Sequence, residues 1–120
     1  MRYVVLMAYR PAEWEDASEQ VRQEHFDAHH AFERYVDRHG RRVSSAALAG
    51  ADLATTVRHR EDGTVAVTDG PFVELAEQVG GYYDVELPDL DTAIAAATLL
   101  PRGYTVEVRP TVRVEGYDAS

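Results

Sequence analysis

The chain predicts an α+β domain, with one antiparallel sheet carrying two helices on a single face. Three observations carry that expectation. The N-terminal segment is a strand apolar on both alternating faces. Two amphipathic helical stretches are separated by several strand-like segments. The centre of the chain is built around the turn sequences Asp62-Gly63 and Asp69-Gly70-Pro71.

Tyr3 to Tyr9 is apolar at every position, which suits a central strand covered on both sides. Arg10-Pro11 ends it, because proline cannot donate to a sheet ladder. Pro11 to Ala17 reads as a loop holding the single tryptophan, Trp14. Ser18 is the predicted N-cap of a long helix that reaches His39 and stops at Gly40. Stepping 100° per residue puts Val21, His25, Ala28, Phe32, Tyr35, Val36 and His39 on one face, with His29 at its border. Glu24, Asp27, Glu33 and Arg34 lie off that face, and Phe26 and His30 fall outside the stripe.

Arg41 to Leu48 reads as the second strand. Ala54 to Arg60 and Thr64 to Thr68 flank Asp62-Gly63, a hairpin signal, because Asp-Gly accepts the positive φ angles of a type I′ turn. A two-residue loop would set Arg58 and Thr56 on one face with Val67 and Asp69. Asp69 to Gly81 is a long connection with a helical turn expected over Phe72 to Val79. Tyr82 to Leu87 alternates as a strand. Asp89 caps a second helix running to about Leu100, before Pro101, with Leu90, Ala93, Ile94, Ala97 and Leu100 in one stripe. Tyr104 to Arg109 alternates as the last strand. The domain is expected to span 1–113, with 114–120 as a loose tail.

The order β-α-β-β-β-β-α-β, less the extra hairpin strand, is the ferredoxin-like β-α-β-β-(β)-α-β plan. Such a sheet leaves its second face bare, and here that face is apolar. A homodimer with two sheets face to face, a dimeric α+β barrel, is the expected way to bury it.

Composition excludes several functions. The chain has 120 residues, and 12 basic against 21 acidic residues give a net charge of −9, which argues against nucleic acid and anionic membrane as partners. All the basic residues are arginine, so lysine nucleophiles and Schiff bases are absent. Cysteine is absent too, which removes disulfides, thiol catalysis and thiolate metal sites. No apolar run is long enough to cross a membrane, and the short N-terminal run lacks a cleavage site, so a cytoplasmic protein is expected.

The stretch T-D-G-P-F-V-E-L-A-E-Q-V-G-G-Y-Y from Thr68, followed by V-E-L-P-D-L-D-T-A and V-E-V-R-P, resembles the DGPF subgroup of YCII-related proteins. The opening M-R-Y-V-V-L-M-A-Y and the helix ending in Gly40 are also similar. Leu75 and Ala76 stand where the family usually has a small hydroxyl residue and a lysine, and Ala95-Ala96-Ala97 replaces an aromatic position. The resemblance implies a ferredoxin-like dimeric α+β barrel. It further implies proton chemistry by a His/Asp pair, as proposed for the wider group, which includes a dehalogenating lyase. Some DGPF proteins resemble companions of extracytoplasmic-function sigma factors. His25 and Asp37 have about the separation of that pair, offset by one residue relative to Gly40.

Three titratable residues are the candidates for catalysis. Asp69 can serve as a general base or orient a histidine, and it can equally be a turn residue whose carboxylate accepts backbone N–H groups. His25 and His29, four apart, project from one helix face. That spacing suits an acid/base pair, a metal site or simple core packing. Their motif H-F-D-A-H is not a zinc-protease signature, and neither a metal nor a cofactor is expected. Glu74, three residues before Glu77, is the third candidate. Tyr83, Arg58 and His29 are expected to bind a small-molecule ligand. Two functions therefore stand side by side: cofactor-independent proton transfer of lyase or isomerase type on a small organic molecule, and a non-catalytic dimeric binding or regulatory module serving a sigma-factor system.

Overall fold

The computed structural model describes residues 1–71 and 76–117. The elements are β1 (Arg2–Tyr9), α1 (Pro11–Glu15), α2 (Glu19–His39), β2 (Arg41–Ala47), β3 (Thr55–His59), β4 (Val65–Asp69), β5 (Gln78–Glu86), α3 (Leu90–Ala97) and β6 (Thr105–Pro110). Four strands form an antiparallel sheet in the order β2-β5-β1-β6, with β3 and β4 paired separately. The fold is the ferredoxin-like α+β plan, with the extra hairpin as its own two-stranded sheet.

The period of two in β1 sends Tyr3, Val5 and Met7 to one face, where each is buried. Across the ladder, Tyr3 meets Val85, and Val5 meets Tyr83. Phe32 and Val36 of α2 and Ala93 and Ala96 of α3 close over them, with Leu87 and Leu100 at the margin. The opposite face carries Val4, Leu6, Ala8 and Tyr82, and among the described residues no helix packs on it.

Both main helices begin where the sequence predicts. The Ser18 hydroxyl accepts the Val21 N–H at 3.2 Å, and Asp89 Oδ1 accepts the Thr92 N–H at 2.8 Å. Gly40 ends α2 in an extended conformation with φ −174°, not a left-handed one. It is glycine because a Cβ there would collide with the Glu86 carbonyl.

Several expectations are corrected. The Pro11–Ala17 loop contains a third helix, α1, started by proline at its first turn, where the missing N–H has no helical partner. β5 begins at Gln78, so Gln78 and Val79 are strand and not helical turn, while Phe72 lies outside the described residues. The second helix ends at Ala97, and its buried stripe uses Ala93 and Ala96, leaving Leu90 and Ile94 about half exposed. The hairpin loop has three residues, Glu61-Asp62-Gly63, closed by Arg60 N–H to Thr64 O at 2.8 Å. Only Gly63, at φ +86°, is left-handed, whereas a type I′ turn needs two such residues. Asp62 instead turns its carboxylate onto the Thr64 N–H at 2.9 Å. The extra loop residue slips the register by one. Arg58 faces Ala66 and Asp69 faces Thr55, so Arg58 and Asp69 lie on opposite faces of the hairpin.

Candidate functional site

Residues four apart on a helix stack along one line, and α2 sets His25, His29 and Glu33 on such a line above the sheet. The sheet answers with two phenols. Tyr83 comes from the middle of β5. Tyr104 stands just before β6, in a turn closed by its N–H to Pro101 O at 3.0 Å.

These five side chains form one continuous hydrogen-bonded chain. His25 Nε2 lies 2.7 Å from the Tyr104 hydroxyl, and His29 Nε2 lies 2.7 Å from the same oxygen. His29 Nδ1 lies 2.9 Å from the Tyr83 hydroxyl, which donates to Glu33 Oε2 at 2.8 Å. Glu33 Oε1 in turn lies 3.5 Å from Arg42 Nη1. Arg42 is itself held by Asp37 through two bonds of 3.0 Å.

Burial tunes the chain. It lowers the His25 pKa, and it lowers that of His29, helped by the neighbouring His25. Burial pushes the Tyr104 phenol up to about 12, with Tyr9 adding to it. Burial raises Tyr83 as well, and its hydrogen bond to Glu33 raises it further. At neutral pH the site therefore holds two neutral imidazoles, able to accept protons, and two intact phenols.

The chain borders a cavity of about 350 Å³ between α2 and the sheet. Its other walls are mostly apolar: Met7, Tyr9, Trp14, Phe26, Ala47 and Leu48. Two glycines help shape it. Gly80 is the unpaired residue where the β1–β5 register shifts, and a Cβ there would run into the Tyr9 ring. At Gly81 a Cβ would sit 2.9 Å from the Ala46 carbonyl oxygen. Trp14 closes one side, its ring 4.9 Å from that of His25 and 5.8 Å from that of Phe26. Arg22 anchors Trp14 by lying 4.8 Å over its ring and donating to its carbonyl at 3.1 Å. A second cavity of about 510 Å³ lies beyond the wall of Tyr9, Trp14, His25 and Tyr104, with Arg10, Glu13 and Arg102 along it.

Of the residues singled out in the sequence, the structure brings together His25, His29 and Tyr83. Asp69 is exposed on the hairpin, and neither it nor Arg58 lines either cavity. Glu74 lies outside the described residues. Asp37 is three turns along α2 from His25 and is engaged with Arg42. Sequence reasoning missed Glu33, Tyr104 and Trp14. Glu33 continues the four-residue spacing of His25 and His29, a signal present in the sequence. Tyr104 is remote from α2 in the chain, and no local pattern announces it. Among the described residues no group of three or more His, Asp or Glu side chains is placed to hold a metal ion, and no helix is long and apolar enough to cross a membrane.

Comparison with known proteins adds two findings. An uncharacterized protein, R00369, of Rhizobium meliloti (strain 1021) is 37% identical over 81 residues, 64% of this chain and 64% of that protein. The chain thus matches less than two thirds of that relative's length. The family model described as the YCII-related domain matches residues 1–114, nearly the whole ferredoxin-like frame together with the helix and strands that build the histidine–tyrosine chain, and on that match the protein belongs to the YCII-related family.

Proposed function

We propose that the cavity between α2 and the sheet binds a small organic molecule with an apolar body, and that His25 and His29 carry proton transfer on it without a cofactor, in lyase- or isomerase-type chemistry. The observation that supports this is the unbroken chain His25–Tyr104–His29–Tyr83–Glu33, whose two histidines and two tyrosines line one side of a mostly apolar cavity. Apolar walls hold the body of a ligand, and a few convergent polar groups orient it. Neutral imidazoles with lowered pKa can accept a proton and return it, and the phenols, which burial keeps protonated, relay protons along the chain. Asp69 and Arg58, on the hairpin, stand outside this assignment.

Trp14 lines the cavity and is the only tryptophan, so its fluorescence reports occupancy. Titration with a panel of small aromatic and branched-chain ketones and keto acids should give a saturable emission change. The binders should also exchange carbon-bound protons in heavy water in a reaction lost in His25→Phe and His29→Phe. A panel that neither saturates Trp14 nor exchanges would sink the reading.

A separate observation favours assembly. Among the described residues no helix packs on the outer sheet face bearing Val4, Leu6, Ala8 and Tyr82, and a second copy would bury it as a dimeric α+β barrel of the kind expected for DGPF-like proteins. Light scattering should then give twice the 13.4 kDa chain mass, and a 13.4 kDa particle would refute it.

A further inference from the structure

We infer that Glu33 is a positioning residue: acting through Tyr83, His29 and Tyr104, it fixes the direction of the hydrogen-bonded chain and thereby leaves Nδ1 of His25 as the lone pair offered to a guest. The inference rests on the reading of the cavity as a ligand site, and deepens it.

The count of donors and acceptors along the chain fixes its direction. Glu33, beside the Arg42 guanidinium, is a carboxylate and only accepts. The single hydroxyl proton of Tyr83 is therefore spent on Glu33, at 2.8 Å. Tyr83 can then only accept from its other neighbour, so His29 Nδ1, 2.9 Å away, carries a proton and donates. A neutral imidazole has one N–H, so His29 Nε2 is an acceptor, and the Tyr104 hydroxyl donates to it across 2.7 Å. Tyr104 has no second proton, so His25 Nε2 must donate to Tyr104, again at 2.7 Å. That fixes the tautomer of His25. Its Nδ1 is bare and has no hydrogen-bond partner among the described residues, and the ring stands in the wall of both cavities.

The opposite direction exists only if Tyr83 turns its proton toward His29, which would leave the Glu33 carboxylate without its donor. So a partly exposed glutamate two turns along α2 decides which nitrogen of His25 is basic. The same polarity gives a balanced path for a proton. A guest's X–H bond breaks, its electron pair stays on the guest, and the proton bonds to His25 Nδ1. The Nε2 proton of His25 passes to Tyr104, that of Tyr104 to His29 Nε2, the Nδ1 proton of His29 to Tyr83, and that of Tyr83 to Glu33. Every group on the path ends neutral, so no imidazolium has to be held in a buried site.

Histidine side-chain nitrogen NMR of the full chain at neutral pH reads the tautomers directly, with no ligand present. Wild type should show His29 protonated on Nδ1 and His25 on Nε2. Removing the acceptor in Glu33→Leu, or the relay in Tyr83→Phe, should switch both rings: His29 to Nε2–H and His25 to Nδ1–H. The switch at His25 is decisive, since it touches neither Glu33 nor Tyr83 and a merely structural loss would leave it alone. Glu33 is partly exposed, and Tyr83→Phe keeps the ring that packs on Phe32, so two folded variants are available. A wild-type His29 protonated on Nε2, or a His25 tautomer unmoved in the two variants, would overturn the inference. A cavity with the expected tautomers but no Trp14 binder would instead count against the ligand reading.

Discussion

The helix-covered side of the sheet and one face of the β3–β4 hairpin both carry valines at alternating strand positions, and only one of them is buried. Val5 and Val85 are 1% and 0% exposed. Val57, Val65 and Val67, which share one face of the hairpin, are 60%, 48% and 64% exposed. Strand propensity and alternation are therefore no guide to where a strand is covered. What differs is what lies over the face: α2 and α3 press on the sheet, whereas no other element packs substantially on the hairpin among the described residues. The radius of gyration records the same contrast, at 16.9 Å against about 14 Å for a compact chain of this length. The hairpin is held by its own ladder and turn, a marginal arrangement in water. Stability and the histidine–tyrosine chain both belong to the frame, and the two regions should respond to mutation very differently.

The widest gap should come from Phe32→Ala. The ring is fully buried, 4.5 Å from that of Tyr83, so its loss should cost about 3–5 kcal/mol in chemical denaturation and loosen the floor of the site. Tyr104→Phe keeps the ring but strips the hydroxyl from both histidines. It should cost about 1–3 kcal/mol, measured the same way, because two half-buried nitrogens lose their partner. Asp89→Ala removes the cap of α3 and should cost about 1 kcal/mol.

Acid should reproduce part of the Tyr104 effect. Both histidines have native pKa values below the ordinary 6.5, so the unfolded chain binds more protons in that window. Their contribution is complete above pH 6.5 and is lost as the pH falls through the lower native values. The thermal midpoint should drop on acidification just below 6.5, less steeply in His29→Phe, and a rise there would contradict the burial argument. The smallest effect should be Val67→Thr on the hairpin, within about 0.5 kcal/mol of wild type by denaturation of the isolated chain. A loss comparable to Phe32→Ala would mean that the hairpin face is covered in solution.

Much of the frame was legible in the sequence. The caps Ser18 and Asp89 and the apolar run of β1 are local signals, and local physics decides them. The hairpin turn was visible in Asp62-Gly63, but its register was not. Asp62 satisfies itself by bonding Thr64 and leaves the positive φ to Gly63 alone, and one residue of slip separates Arg58 from Asp69. Gly80-Gly81 reads as a boundary until the strand is seen to run through it, with a bulge where the chains approach too closely for a side chain. The candidate site divides the same way. His25 and His29 announce themselves by helical spacing, and Glu33 continues that spacing. Tyr83 was visible as an alternating strand residue. Tyr104 meets them only through the pairing of β1 with β6, a long-range event with no imprint on its own neighbourhood.

One hydrogen bond at the foot of the hairpin makes the hairpin separable from the frame. The Gly70 N–H meets the Ala54 carbonyl at 2.7 Å, so the excursion leaves and returns at nearly a single point. A detour pinned shut at its base works as a cassette. Shortening it, lengthening it or exchanging it for an unrelated loop with equally close ends should leave the four-stranded frame intact, because loop-closure entropy grows only slowly with length.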